Sequence, residues 1–171
     1  MRNKRLLNIL VIACVLSVLG TVIALCVNRR ERPSPAPSAE QVVPLKLLSI
    51  AEHGEWMVAE TNYGSFRYPT AFADILAPEV IAHATSSELQ FIAQIADQSL
   101  VAYSIRYNER IGDRCGTLRL SDAVEDIPVY VEFAEPTGIP DDWLDTFYAV
   151  QETFNDVLDS MAQDSRFTRE E

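Results

Sequence analysis

The chain has 171 residues, 48% of them hydrophobic, with a formal net charge of −11, a length that suits one domain with its own core. The charge is uneven: six of the 14 basic residues lie at or before Arg32, leaving eight in residues 45–171 against 23 acidic ones, or near −15. Nucleic acid is excluded as a partner of that stretch, because phosphate binding needs clustered cations, and an anionic lipid surface would repel it.

Residues 1–5 (MRNKR) form a short basic tail, expected in the cytoplasm. Residues 6–27, from Leu6 to Val27, read LLNILVIACVLSVLGTVIALCV, without one charge. As a helix they reach about 33 Å, enough to cross a hydrocarbon core of roughly 30 Å. A cleaved signal peptide has a shorter apolar run and a small-residue cleavage site; Leu25-Cys26-Val27 is no such site. A lipoprotein signal wants a small residue where Leu25 precedes Cys26. The segment therefore reads as a retained transmembrane signal anchor and the chain's contact with a membrane. Arg2, Lys4 and Arg5 on one side tie with Arg29, Arg30 and Arg32 on the other, so flanking cations do not choose an orientation. The short tail and long C-terminal domain favour the N-terminus inside and the domain extracytoplasmic. Ala13, Ser17 and Gly20 recur at steps of four and three, a face on which two such helices could meet.

Residues 28–44 (NRRERPSPAPSAEQVVP) form a Pro-rich, semi-rigid linker. A soluble α+β domain is expected over 45–165. Its opening LKLLSIA suits a first strand or a turn of helix, broken at His53-Gly54. Residues 56–60 and 65–68 read as strands around the turn chemistry of Asn62 to Gly64, with Pro69 closing the second. Thr70 is placed as the cap of a short helix, TAFADIL, that Pro78 stops. A strand is expected over 80–85. Residues 88–96 and 100–107 alternate with period two on either side of an Asp97-Gln98 turn. Residues 109–116 read as a polar loop and 118–120 as a short strand. Residues 127–133 alternate most cleanly, and Pro128 marks an edge or a strand start. Asp141 is the expected N-cap of an amphipathic helix running to Met161, with apolar residues from Trp143 to Met161 in steps of three and four. Residues 166–171 remain as a polar tail. The fold class is α+β: an antiparallel sheet of about five or six strands with the long C-terminal helix on one face.

Catalytic signatures are missing. His53 and His83 are the only histidines, and neither has a partner at metal-ligand spacing. No nucleophile elbow, P-loop or dinucleotide fingerprint occurs. The pairs Asp141-Asp142, Glu125-Asp126 and Glu170-Glu171 read as solvated charge; Asp122, Glu125 and Asp126 lack the spacing of a calcium loop. Trp56, Tyr63, Phe66 and Tyr68 read as core and rim. Gln151 and Asn155 lie close to the helix's apolar arc, so their amides are expected to bond a neighbouring strand or loop. Cys14 and Cys26 fall in the apolar segment; Cys115, alone in the domain, is expected to be buried. No catalytic residue, cofactor-binding residue or metal ligand is assigned.

The run Tyr63-Gly64-Ser65-Phe66-Arg67-Tyr68-Pro69, the paired central strands and the helix carrying Gln151-Glu152 and Asn155 resemble small uncharacterised membrane-anchored extracytoplasmic proteins of Gram-positive, gut-type bacteria, over most of residues 56–161. The opening strand, "YP" and short helix also look distantly like the PsbP-like α/β sandwich, which implies partner binding without catalysis. The sequence thus points to a membrane-tethered extracytoplasmic binding or interaction module, its partner another protein or a second copy. Alternatives are a cell-envelope hydrolase with a carboxylate site, and a structural or assembly subunit.

Overall fold

The computed structural model describes residues 43–121 and 125–170. The basic tail, the apolar segment 6–27, the linker up to residue 42 and Asp122 lie outside the described residues. Among the described residues no helix is long and apolar enough to cross a membrane.

The domain is α+β, with antiparallel sheets and one long C-terminal helix. Strands β1 (Leu47–His53), β2 (Trp56–Thr61) and β3 (Gly64–Pro69) form a three-stranded meander. Strands β4 (Leu76–Ala82), β5 (Ser87–Ile95), β6 (Gln98–Tyr107), β7 (Asp113–Leu118), β8 (Ile127–Phe133) and β9 (Phe167–Arg169) form a six-stranded sheet in the order β4-β5-β6-β8-β7-β9. The helix α1 spans Asp141–Met161.

The expectation of a single sheet is corrected here, because the first three strands stand apart. Helix α1 lies along β3: the Arg67 amide donates to Ser160 Oγ at 2.9 Å, so the meander and helix form one layer. The six-stranded sheet is the other. Phe91 joins them, stacked on Tyr103 at 4.3 Å between ring centroids and met edge-on by Phe66 at 5.5 Å. From the helix, Phe154 meets Tyr103 edge-on at 5.8 Å. The buried helix residues Phe147, Val150, Phe154, Val157, Leu158 and Met161 each contribute about 1.5–3 kcal/mol on leaving water. That face explains a helix that six acidic residues and no basic one would otherwise weaken.

Local expectations fail where one residue type was given too much weight. TAFADIL is helical only over Thr70–Phe72, a 3-10 turn with Pro69 at the cap and no side-chain cap bond; the Thr70 hydroxyl instead donates to Gly54 O at 3.2 Å. Pro78 does not stop an element. It lies within β4, an edge strand, where a missing N–H is tolerated, so the strand expected over 80–85 runs from Leu76 to Ala82. The expected loop 109–116 holds only as far as residue 112: from Asp113 the chain is strand β7, which has a bulge at Cys115 and ends at Leu118, where a separate strand 118–120 was expected to begin. Strand β8 has the expected bounds but is interior, between β6 and β7. Pro128 is accommodated because pairing with β6 begins one residue later, at Val129. Pro140, not Asp141, caps the helix, and Asp141 and Asp142 occupy the first turn, where the helix dipole favours them. The β5–β6 turn is centred on Ala96 and Asp97, at φ 50° and 61°, one residue earlier than expected.

The polar tail is the largest correction. Residues Phe167–Arg169 pair with β7, and Phe167 is buried. Gly116 makes this possible: a Cβ there would meet the Phe167 ring at 2.4 Å and Thr168 O at 2.7 Å.

Candidate functional site

Four places on the domain gather chemistry. The first is the outward face of the six-stranded sheet. Register sets Glu88, Arg106 and Tyr130 side by side across β5, β6 and β8. The Arg106 guanidinium donates to Glu132 at 2.8 Å, Glu88 at 3.0 Å and Glu109 at 3.3 Å. The Glu88 side chain is 5% exposed and also accepts from Gln90 Nε2 at 2.8 Å. Burial works against the charge on Arg106, but Glu132, Glu88 and Glu109 outweigh it and raise its pKa. The guanidinium fills the space between the carboxylates that a cation would need. This cluster holds strands in register.

The second is a cavity of about 20 Å³ between Thr61, Tyr63, Gly64, Tyr107, Met161 and Asp164. That volume admits about one water molecule. Its one carboxylate, Asp164, is engaged by Arg166 at 2.5 Å, and this bond holds the Asp164 pKa below the usual range. Burial raises the phenol pKa values of Tyr63 and Tyr107, so both rings stay neutral.

The third is Cys115, buried as expected, its thiol donating to Val129 O at 3.6 Å. Burial pushes its pKa up to about 11, which suits a packed thiol rather than a nucleophile.

The fourth is β1. It pairs with β2 on one side, and among the described residues nothing pairs with its other side. Leu47 is half-buried and the remaining six residues are exposed, with Leu48 at 63% and Ile50 at 39%.

The residues singled out by sequence are dispersed. His53 ends β1 and His83 lies in the β4–β5 loop, both exposed. Asp126 is held by Arg119 in two bonds of 2.7 Å. Glu170 pairs with Arg114 at 2.8 Å, and Asp141 and Asp142 open the helix in solvent. Tyr63, Phe66 and Tyr68 are core, while Trp56 is half-buried beneath the Arg67 guanidinium at 4.5 Å. Gln151 donates to Ala102 O at 2.8 Å and Ala134 O at 2.7 Å, the bond to a neighbouring strand and loop that its position on the apolar arc suggested. Asn155 is exposed instead. Among the described residues, no group of three or more His, Cys, Asp or Glu side chains is arranged to hold a metal ion. Sequence reasoning missed the Arg106 cluster and the bare edge of β1. The one available signal was LKLLSIA itself, apolar residues without a period.

No protein-family model, curated protein or solved structure matches the chain.

Proposed function

We propose that this chain is a membrane-tethered, extracytoplasmic interaction module that acts by binding another protein, with residues 6–27 as its anchor and 28–44 as its spacer. The observation that carries the binding reading is β1: a seven-residue strand with one edge that nothing among the described residues pairs, presenting Leu48 and Ile50 to solvent. Monomeric domains blunt such edges with Lys or Pro, and neither lies within β1; its one charge on the core-side face, Glu52, leaves the edge open to a segment that brings a cation. The apolar segment and linker support the tether, and the acidic balance of the domain supports a stance away from an anionic surface.

Two measurements test this in cells that express the full chain. A C-terminal reporter active only outside the membrane should be active; an inactive reporter on a well-expressed fusion overturns the orientation. A photo-cross-linking residue at position 50 should yield discrete adducts, while one at Glu152 on the helix's outer side should not. Equal labelling at both positions, or none at position 50, removes the interaction reading.

A further inference from the structure

We infer that the edge of β1 left unpaired among the described residues takes up an extended, basic segment of another protein as a fourth strand of the three-stranded sheet. This rests on the interaction reading above and gives the partner its chemistry.

The main chain supplies the first argument. An edge strand carries unpaired N–H and C=O groups along one side, and an extended peptide satisfies them by strand addition. In β1 the bulge lies between Leu47 and Ser49, so the regular template runs from Ser49 to His53. Those five residues pair one-to-one with β2, a regular register that a strand on the other side can continue.

Side chains set the pattern. Ile50 stands opposite Ala59 and Glu52 opposite Met57, so both project from the face that carries the core of this sheet. Yet Ile50 and Glu52 are exposed. A strand laid beside β1 places alternate residues against them: an apolar one beside Ile50 and a basic one beside Glu52, the favourable cross-strand pairs. Ser49, Ala51 and His53 on the other face ask for little. The preferred segment alternates apolar and basic residues on one side and is unconstrained on the other.

Charge decides between occupants. From residue 45 onward the chain has 23 acidic residues and eight basic ones. Five of those eight, Arg106, Arg114, Arg119, Arg166 and Arg169, are already in ion pairs. Arg67 lies over Trp56. Around β1 stand Glu52 on the strand, Glu55 in its turn and Glu60 opposite Ser49, three carboxylates against Lys46 just before the strand. A second copy of the domain would bring the same surplus of negative charge to the edge. A cationic segment is attracted by it, and its approach is accelerated.

The test uses the full chain in non-ionic detergent and a labelled peptide of about nine residues repeating Val-Thr-Lys-Thr, which sets Val and Lys in turn on one face of the strand, followed by fluorescence anisotropy. One comparison peptide has alternate amides N-methylated, a second has the same composition with the alternation broken, and a third has Glu for Lys. The variants Ile50→Lys and Glu52→Lys alter exposed side chains, and circular dichroism checks that they fold. Binding of the alternating peptide is expected. It should weaken about tenfold or more on N-methylation, on breaking the alternation and with Ile50→Lys. Glu52→Lys should move preference toward the Glu peptide. Equal binding of the N-methylated peptide would reduce the effect to charge attraction and overturn the proposal, as would no binding. Concentration-dependent self-association abolished by Ile50→Lys would overturn it in favour of a second copy. Peptide binding without cross-links at position 50 in cells would defeat the function and leave this edge chemistry standing; cross-links without peptide binding would do the reverse.

Discussion

Arg106 tests how the outward face of the six-stranded sheet is held. Its guanidinium bonds three carboxylates, of which Glu88 is nearly sealed, its side chain 5% exposed against 16% for Arg106 and 46% for Glu132. Arg106→Met keeps most of the stem's packing and removes the charge, leaving the Glu88 carboxylate with Gln90 as its remaining side-chain donor. Breaking a fully buried ion pair from one side costs about 3–5 kcal/mol. Here water reaches Glu132 and part of Arg106, so about 2–3 kcal/mol is expected. Urea unfolding at pH 7 should show this loss relative to wild type. Adding Glu88→Gln to Arg106→Met should recover at least half of the loss at pH 7, since the uncompensated charge is gone. A cost below about 0.5 kcal/mol, or no recovery in the double variant, would refute the reasoning, because it would mean that Glu88 never depended on Arg106.

Three further outcomes are expected. Phe167→Ala should cost about 2–4 kcal/mol in urea unfolding, at or below the usual Phe→Ala range because β9 is an edge strand, and should release hydrogen-exchange protection of β7; wild-type stability would return residues 166–171 to a polar tail. Ala96→Gly relieves a left-handed alanine at φ 50° and should stabilise by roughly 0.5–1 kcal/mol, raising Tm by a few degrees; a lower Tm would show that the Ala96 methyl matters more than the turn. With Cys14→Ser and Cys26→Ser in place, Cys115 should stay inert to a thiol reagent at pH 8 until the chain is denatured, because burial pushes its pKa up to about 11. Rapid labelling of the native chain, or a disulfide-linked dimer on a non-reducing gel, would contradict that.

What was legible in the sequence follows from how much of each element's pattern lies within the element. Strand β8 and helix α1 carry their inside and outside in full, so 127–133 and the helix ending at Met161 could be read directly. Gln151 was legible for the same reason, a polar group set against an apolar arc. Strand β9 was not, because three residues with one buried side chain make no period. Its cause is the missing side chain of Gly116, some fifty residues earlier, and that cause is visible only once β7 and β9 are paired. In β4 the alternation of Leu76 and Pro78 against Ala77 and Glu79 is present, but Pro78 reads locally as a stop, whereas an edge strand needs no N–H there. Glu88, Arg106 and Glu132 were plainly polar-face residues. That they meet depends on the bulge between Phe91 and Ile92, which sets the β5–β6 register and has no mark in the sequence.

Strand β1 differs from all of these because the core does not need it. Ala59 on β2 and Phe66 and Tyr68 on β3 supply the buried side chains of the meander, and β2 already has β3 as a partner. Ordering a residue's backbone costs about 1–2 kcal/mol, and a strand with six of seven residues exposed recovers little of that by burial. Yet β1 is fixed at both ends. Before it, the Leu45 side chain is buried and its amide donates to Ser87 Oγ at 3.1 Å, while Asn62 accepts from the Lys46 amide and donates to Pro44 O at 2.9 Å. After it, a two-residue turn led by Gly54, at φ 66°, returns the chain into β2. These contacts lie outside the strand and hold it extended without covering its edge. A template held this way loses little further conformational freedom when a second strand pairs with it, so more of the new hydrogen bonding and side-chain contact remains as affinity. The placement of the fixing residues is what separates a presented edge from a merely unfinished one.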